Sequence, residues 1–492
     1  MNFKEKFWPI KRFELKKFIP LLLIKFFISF NYGILTSMKD TFIVTAKGSG
    51  AEVIPVLKGW IVLPIALAVT LLYTKLSNHL KKTTLFYSII LTFLTFIFVY
   101  AFILYPNREL LSPHASADWL TNVIGTKHQH WVSIYRNWMQ VLFFVMAELW
   151  STVAIFLLFW GFANQINRVS EAKRFYTLFI AGGDLAAIAT GPLVWHYSKK
   201  YIGLDFTNTL QSLAIYIITF DLIIMGLYRW ITKNVLTDPR LVPDESPALS
   251  KTKLSLKESI KLLARSKYLR SIAMMVVAYG LTINLIEVTW KAHLKMQYPN
   301  PSDYQSFMAN ITSSVGVVSF LTAFLAGSSI IRFFGWRFSA LITPISLGFT
   351  GIAFLTMVVF KDSLPLWFGM TPLFMIVLFG AFQNISTKVM KYSFFDPTKE
   401  IAYIPLDPES KVKGKAAIDI VGSRFGKSGS AWIQILLLEL VGNGSVLSIT
   451  YFLFPIIILA VIKWIGSIRT LDKQFKSQKT EEEAPQEELA QS

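Results

Sequence analysis

The chain has 492 residues, of which 53% are hydrophobic and only 16% charged, with a formal net charge of +19 and no Cys. So little charge over such a length excludes an ordinary soluble assembly, and the lack of Cys excludes disulfides, thiolate metal sites and cysteine nucleophiles. Apolar runs of roughly 20 residues recur from end to end, each long enough to cross about 30 Å of hydrocarbon.

The pattern predicts an all-α membrane protein of twelve transmembrane helices. They fall at about 18–44, 53–75, 83–105, 137–163, 174–197, 209–231, 268–290, 304–329, 336–360, 365–388, 415–440 and 446–466. Lys and Arg gather in alternate connections: Lys4 to Lys17, then Lys75, Lys81 and Lys82, then Arg168, Lys173 and Arg174. The series goes on through Lys251 to Arg270, Arg332 and Arg337, Lys388 to Lys415, and Lys463 to Lys479. This positive-inside pattern predicts that both termini are cytoplasmic, as an even number of spans also requires. The basic excess is then a matter of orientation, and no nucleic-acid partner is expected. With no cleavable signal or organelle transit peptide ahead of the first span, a bacterial inner (plasma) membrane is the expected location.

Charges inside these spans carry the functional signal, because an ion at membrane depth costs about 2.5–3.5 kcal/mol on insertion scales and usually faces a cavity. The first span holds Lys39 and Asp40. Successive helical residues point about 100° apart, so a direct pair between those two neighbours is poor geometry. The long connection 106–136 contains His114, His128 and His130; nothing nearby completes a metal site, and it reads as a solvated loop. Glu148 lies in the fourth span and Asp184, after Gly182 and Gly183, in the fifth.

The polar stretch from Thr232 to Lys267, with Pro239, Pro243 and Pro247, reads as a cytoplasmic linker. It divides the chain into an N-terminal six-helix half (1–231), the linker (232–267), a C-terminal half (268–466) and a polar tail (467–492) expected to be disordered. The seventh span brings Glu287, the eighth Asn310 and the tenth Asn384; either Asn is a possible contact to a substrate's polar edge. The eleventh holds Arg424 and Lys427, three apart on one face. Tyr32-Gly33 with Asp40 eight residues after the Tyr matches Tyr279-Gly280 with Glu287, which suggests duplicated halves around a central cavity. Lys39, Lys427 and Arg424 suit phosphate or carboxylate. Glu148, Glu287, Asp40 and Asp184 suit gating or coupling.

The stretch Gly422 to Ser428 looks like a phosphate loop but has three residues between its glycines, not four, and no strand before it. Gly422 and Gly426 read better as a small-xxx-small helix contact. Aromatics are too abundant for any one to stand out as a base-stacking platform. No catalytic base or metal cluster is evident, so an enzyme is not expected, nor a cofactor.

At these residues the sequence resembles the non-mitochondrial ATP/ADP translocases of obligate intracellular bacteria and plastids. The likeness runs through Phe7-Trp8-Pro9-Ile10, Lys39-Asp40-Thr41, Ala147-Glu148-Leu149-Trp150 and Phe159-Trp160-Gly161-Phe162-Ala163-Asn164. It continues in Glu171-Ala172-Lys173-Arg174-Phe175-Tyr176, Val235-Leu236-Thr237-Asp238-Pro239-Arg240 and Ala402-Tyr403-Ile404-Pro405-Leu406-Asp407. Val412-Lys413-Gly414-Lys415 and Arg424-Phe425-Gly426-Lys427-Ser428-Gly429 complete it. The resemblance implies a major-facilitator-like fold, alternating-access import of ATP or related nucleotides in exchange for ADP, and importance for the positions Lys39, Glu148, Glu287 and Lys427. Thr36 and Ser37 stand where the exchangers commonly have an Arg-Asp pair, and Asp184 where they tend to have Asn. Those departures leave proton-coupled import of other nucleoside triphosphates, or of NAD, as the alternative. Neither base preference nor oligomeric state is set by the sequence.

Overall fold

The computed structural model describes residues 10–491 apart from 239, 242–255, 323–327, 367–368, 407–413, 415–417, 419–422 and 442–443. Six long helices form the first half: α1 (Leu15–Thr45), α2 (Val53–His79), α3 (Lys82–Leu104), α4 (Trp138–Ile166), α5 (Val169–Lys200) and α6 (Phe206–Asn234). Six more form the second: α7 (Lys267–Gln297), α8 (Pro301–Thr322), α9 (Phe333–Val359), α10 (Pro372–Ala402), α11 (Ser423–Leu440) and α12 (Thr450–Gln491). Among the described residues ten helices are long and apolar enough to cross a membrane. The two that fall short, α8 and α11, stand where the eighth and eleventh spans are expected. They carry Asn310, Lys427 and Glu439, and each adjoins residues outside the described set. Helices satisfy every backbone group internally, which is what hydrocarbon demands. Leu71, Phe333 and Phe349 are exposed, as lipid-facing side chains would be.

Buried apolar side chains gather into two cores, one per half, but the division is uneven. Ile43, Val44, Ala51, Val53, Ile54 and Leu57, from the end of α1 and the start of α2, belong to the second half's core. The halves are therefore joined at the side of the bundle away from the termini. The glycines of the two Tyr-Gly pairs do similar work in the two halves. A Cβ on Gly33 of α1 would lie 2.9 Å from Thr190 of α5, and one on Gly280 of α7 would lie 3.1 Å from the Gly426 Cα of α11. Gly426 thus makes the close helix contact expected of it; Gly422 lies outside the described residues.

Across the seam α5 packs on α8. Pro192 has no N–H to give the Ile188 carbonyl one turn before it, and Ser313 of α8 donates to that carbonyl at 3.5 Å. Gly191 leaves the room Ser313 needs.

Several elements depart from expectation. The connection 106–136 is helical over His114–Ile124 and Gln129–Arg136 and is not a solvated loop. His130 is buried, because Glu439 at the end of α11 takes His128 Nδ1 and His130 Nε2 at 3.0 Å each and Trp131 Nε1 at 2.9 Å. The tenth span does not stop at 388; it runs on through a π-helical turn, Lys391–Phe395, to Ala402. The last helix is drawn to Gln491, well past the apolar end of the twelfth span.

Candidate functional site

Where the first helices of the two halves face each other, five ionisable side chains form an alternating chain. Lys39 Nζ lies 2.8 Å from Glu148 Oε1 of α4 and 3.3 Å from Asp40 Oδ1. Asp40 Oδ2 reaches across the seam to Lys291 Nζ of α7 at 2.9 Å, and Lys291 returns to Glu287 at 3.1 Å. The expectation against a Lys39–Asp40 contact therefore fails: the flexible lysine stem bends back, although its shorter bond is to Glu148. Lys39 Nζ also sits 4.4 Å from the Phe144 ring centroid, an apolar lid over the cation.

Burial along this chain is graded. The Asp40 and Lys291 side chains are 3% and 2% exposed, whereas Glu148 and Glu287 at the ends are 26% and 17% exposed. The middle is dry and the two ends are wet. Asp40 and Glu287 stand at matching distances after the two Tyr-Gly pairs, yet both bind the same lysine.

Around the chain stand more cations. Lys58 of α2, Lys388 of α10 and Lys427 of α11 are each within Coulombic reach of Glu287. None of the three makes an ion pair among the described residues. Lys58 donates to Asn284 Oδ1 at 3.0 Å, a second tie across the seam. Lys427 is exposed although it is surrounded by Glu148, Lys39, Lys391 and Glu287, so it faces a wet interior. Lys391 pairs with Asp396 at 3.3 Å. Five lysines, 39, 58, 291, 388 and 427, against three carboxylates, 40, 148 and 287, leave two positive charges: a centre suited to a polyanion.

Of the residues singled out from the sequence, the structure brings Lys39, Asp40, Glu148, Glu287 and Lys427 together. Arg424 begins α11 next to them, and its side chain lies outside the described residues. Asp184 is elsewhere, half-buried on α5 within Coulombic reach of Lys25 of α1. Asn384 is 1% exposed, and neither of its side-chain polar atoms is bonded. Asn310 is exposed on α8, and no observed contact ties it to the cluster.

Four cations escaped the sequence reading. Lys291 follows Glu287 by four residues, a helical spacing that signals an ion pair. Lys58 lies inside an apolar run, the same criterion that found Lys39. Lys388 and Lys391 read as loop cations because the apolar run thins before the helix ends at Ala402. Lys58 and Lys391 also sit in π-helical turns, Leu57–Val62 and Lys391–Phe395, a local geometry common at functional sites.

Residues 1–475 match a family model described as TLC ATP/ADP transporter. ADP,ATP carrier protein 1 of Chlamydia pneumoniae is 46% identical over 497 residues, covering 98% of this chain and 96% of that one. The chloroplastic ADP,ATP carrier protein 1 of Arabidopsis thaliana is 43% identical, covering 98% and 77%. ADP,ATP carrier protein 3 of Rickettsia typhi is 40% identical, covering 96% and 97%. Among solved structures, a bacterial homologue of the iron transporter ferroportin in an inward-facing state superposes with a TM-score of 0.56 at 13% identity, covering 93% of this chain and all of that one. The nucleoside transporter NupG also gives 0.56 at 13% identity, covering 92% and 99%. At such identity these two speak for the fold, which is major-facilitator-like.

Proposed function

Because the chain belongs to the TLC ATP/ADP transporter family, we propose that it imports ATP in exchange for ADP by alternating access across a bacterial inner membrane, with both termini cytoplasmic. One observation carries the reading: three lysines without carboxylate partners, Lys58, Lys388 and Lys427, surround a wet centre beside a salt-bridged seam. The phosphates settle among those three lysines and Arg424. Glu148 is a wet carboxylate already bound to Lys39, so an arriving phosphate competes with it for that cation. Weakening that bond frees Asp40 to loosen from Lys291, and the dry middle of the chain opens. Substrate thus acts on the equilibrium between the two orientations through contacts it makes better in one of them.

The seam contacts gather late in α1, α5 and α7, away from the termini, which supports a conformation closed on that side. The test is uptake of labelled ATP by cells or vesicles, with and without internal ADP and with and without an uncoupler. Stimulation by internal ADP supports exchange. Collapse under the uncoupler selects the second reading, proton-coupled import of other nucleoside triphosphates, which Asp184 and Lys25 favour as a half-buried acid and a cation that share no hydrogen bond. No accumulation of unchanged nucleotide in any arm overturns both.

A further inference from the structure

A nucleotide has an aromatic end as well as an anionic one, and the charged centre accounts only for the second. We infer that Tyr392 is the platform on which the base stacks, an inference that rests on the nucleotide-transport reading above.

On α10, Asn384, Lys388 and Tyr392 are spaced four residues apart and share one face. Lys388 fixes the direction of that face, since it is within Coulombic reach of Glu287, Lys291, Asp40 and Lys39. Tyr392 is one turn further along α10. Two neighbours support a position between the halves. Tyr32 of α1 and Tyr279 of α7, the tyrosines of the two Tyr-Gly pairs, are both within electrostatic reach of it. A side chain near both of those helices lies in the opening between the halves and not against lipid.

Tyr279 is itself covered, its ring stacked on Phe395 with centroids 4.9 Å apart, so it offers no free face. Tyr392, by contrast, is 49% exposed. It belongs to the π-helical turn Lys391–Phe395, where the extra residue per turn re-aims side chains. Lys391 Nζ stands 4.5 Å from the centroid of its ring and is itself held by Asp396 at 3.3 Å, which steadies one face and leaves the other open. Lys391 is also within Coulombic reach of Lys427. A ligand with its phosphates at Lys388 and Lys427 therefore brings its base to the ring beside Lys391. Every base has a π-face, so stacking here supplies affinity with little discrimination among bases. Asn384, buried with both polar atoms unbonded on the same face, stands at the phosphate end and not the base end.

Inorganic tripolyphosphate separates the two ends, because it carries the charge without the base. Binding of ATP and of tripolyphosphate to the full-length purified transporter is compared for wild type, Tyr392→Ala, Tyr392→Leu and Tyr392→Phe. The expected result is ATP affinity lowered about tenfold or more in the Ala and Leu variants, retained in Phe, with tripolyphosphate affinity unchanged in all. ATP affinity unchanged in Ala and Leu, or ATP and tripolyphosphate weakened by the same factor in both, overturns the platform while leaving nucleotide transport standing. A wild type that binds neither ligand overturns the transport reading and the platform with it.

Discussion

Lys39 and Lys291 lie in the seam between the halves with carboxylates at 2.8 to 3.3 Å, whereas Lys58, Lys388 and Lys427 surround the wet centre without one. The first set is built into the protein's own electrostatics; losing a partner there strands a buried charge. The second set has carboxylates in Coulombic reach but none in contact, so an incoming anion finds its cations unpaired. Identical side chains around one charged centre are thus divided between holding the conformation and receiving the solute. The division should show up as different losses on substitution.

The largest effect is expected at Lys291. Its loss leaves Asp40 and Glu287 buried without their common cation, and breaking a buried pair from one side costs about 3–5 kcal/mol. Lys291→Ala should lower the unfolding midpoint of the purified protein, and Asp40→Asn together with Lys291→Gln should recover part of the loss. Lys427→Ala comes next and should act on the other quantity. Losing one charge-assisted phosphate contact lowers uptake of labelled ATP about tenfold to a hundredfold, with the midpoint unchanged or raised. Equal destabilisation by the two substitutions would erase the distinction between seam and centre.

Gly426→Ala is smaller and tests packing alone. The new Cβ would meet the Gly280 Cα and the Val277 carbonyl at 3.2 Å, both backbone and unable to turn aside, so a cost of about 1–3 kcal/mol is expected. It should be read as a midpoint shift at constant ligand affinity. The smallest effect is at the face away from the termini. Burial pushes the His130 imidazole below its ordinary value of about 6.5, against the pull of Glu439. The docked form then binds fewer protons than the undocked one. Docking is strongest above that ordinary value and weakens as pH falls through it. Protection factors across 126–136, taken relative to the intrinsic exchange rate at each pH, should fall in acid, and His130→Gln should flatten that dependence.

Much of this was legible in the residues. Periodic apolar runs gave the bundle, and the alternation of basic connections gave an expected orientation. Ions such as Lys39, Glu148 and Lys427 announced a wet interior because hydrocarbon does not tolerate them singly. What stayed hidden was pairing. Hydropathy marks Asp40 and Glu287 as unusual but cannot say that both end on Lys291, since that depends on how two halves close on each other. The tenth helix reads short for a related reason: Lys388 and Lys391 look like a helix end facing water until the wet centre is known. Tyr392 could not be told from its many aromatic neighbours until its exposure was known. The histidines of 128 and 130 read as loop residues because their partner, Glu439, is 309 residues from His130.

The acceptor that Pro192 leaves on Ile188 has one further implication. Parting α5 from α8 removes the Ser313 hydroxyl and leaves a bare carbonyl at membrane depth, a costly state in a dry setting. Only water entering the newly opened side can replace that hydroxyl. Hydration of one vestibule and separation of the helices on that side are therefore bound into a single event, and a half-opened, unhydrated intermediate is disfavoured by one orphaned oxygen.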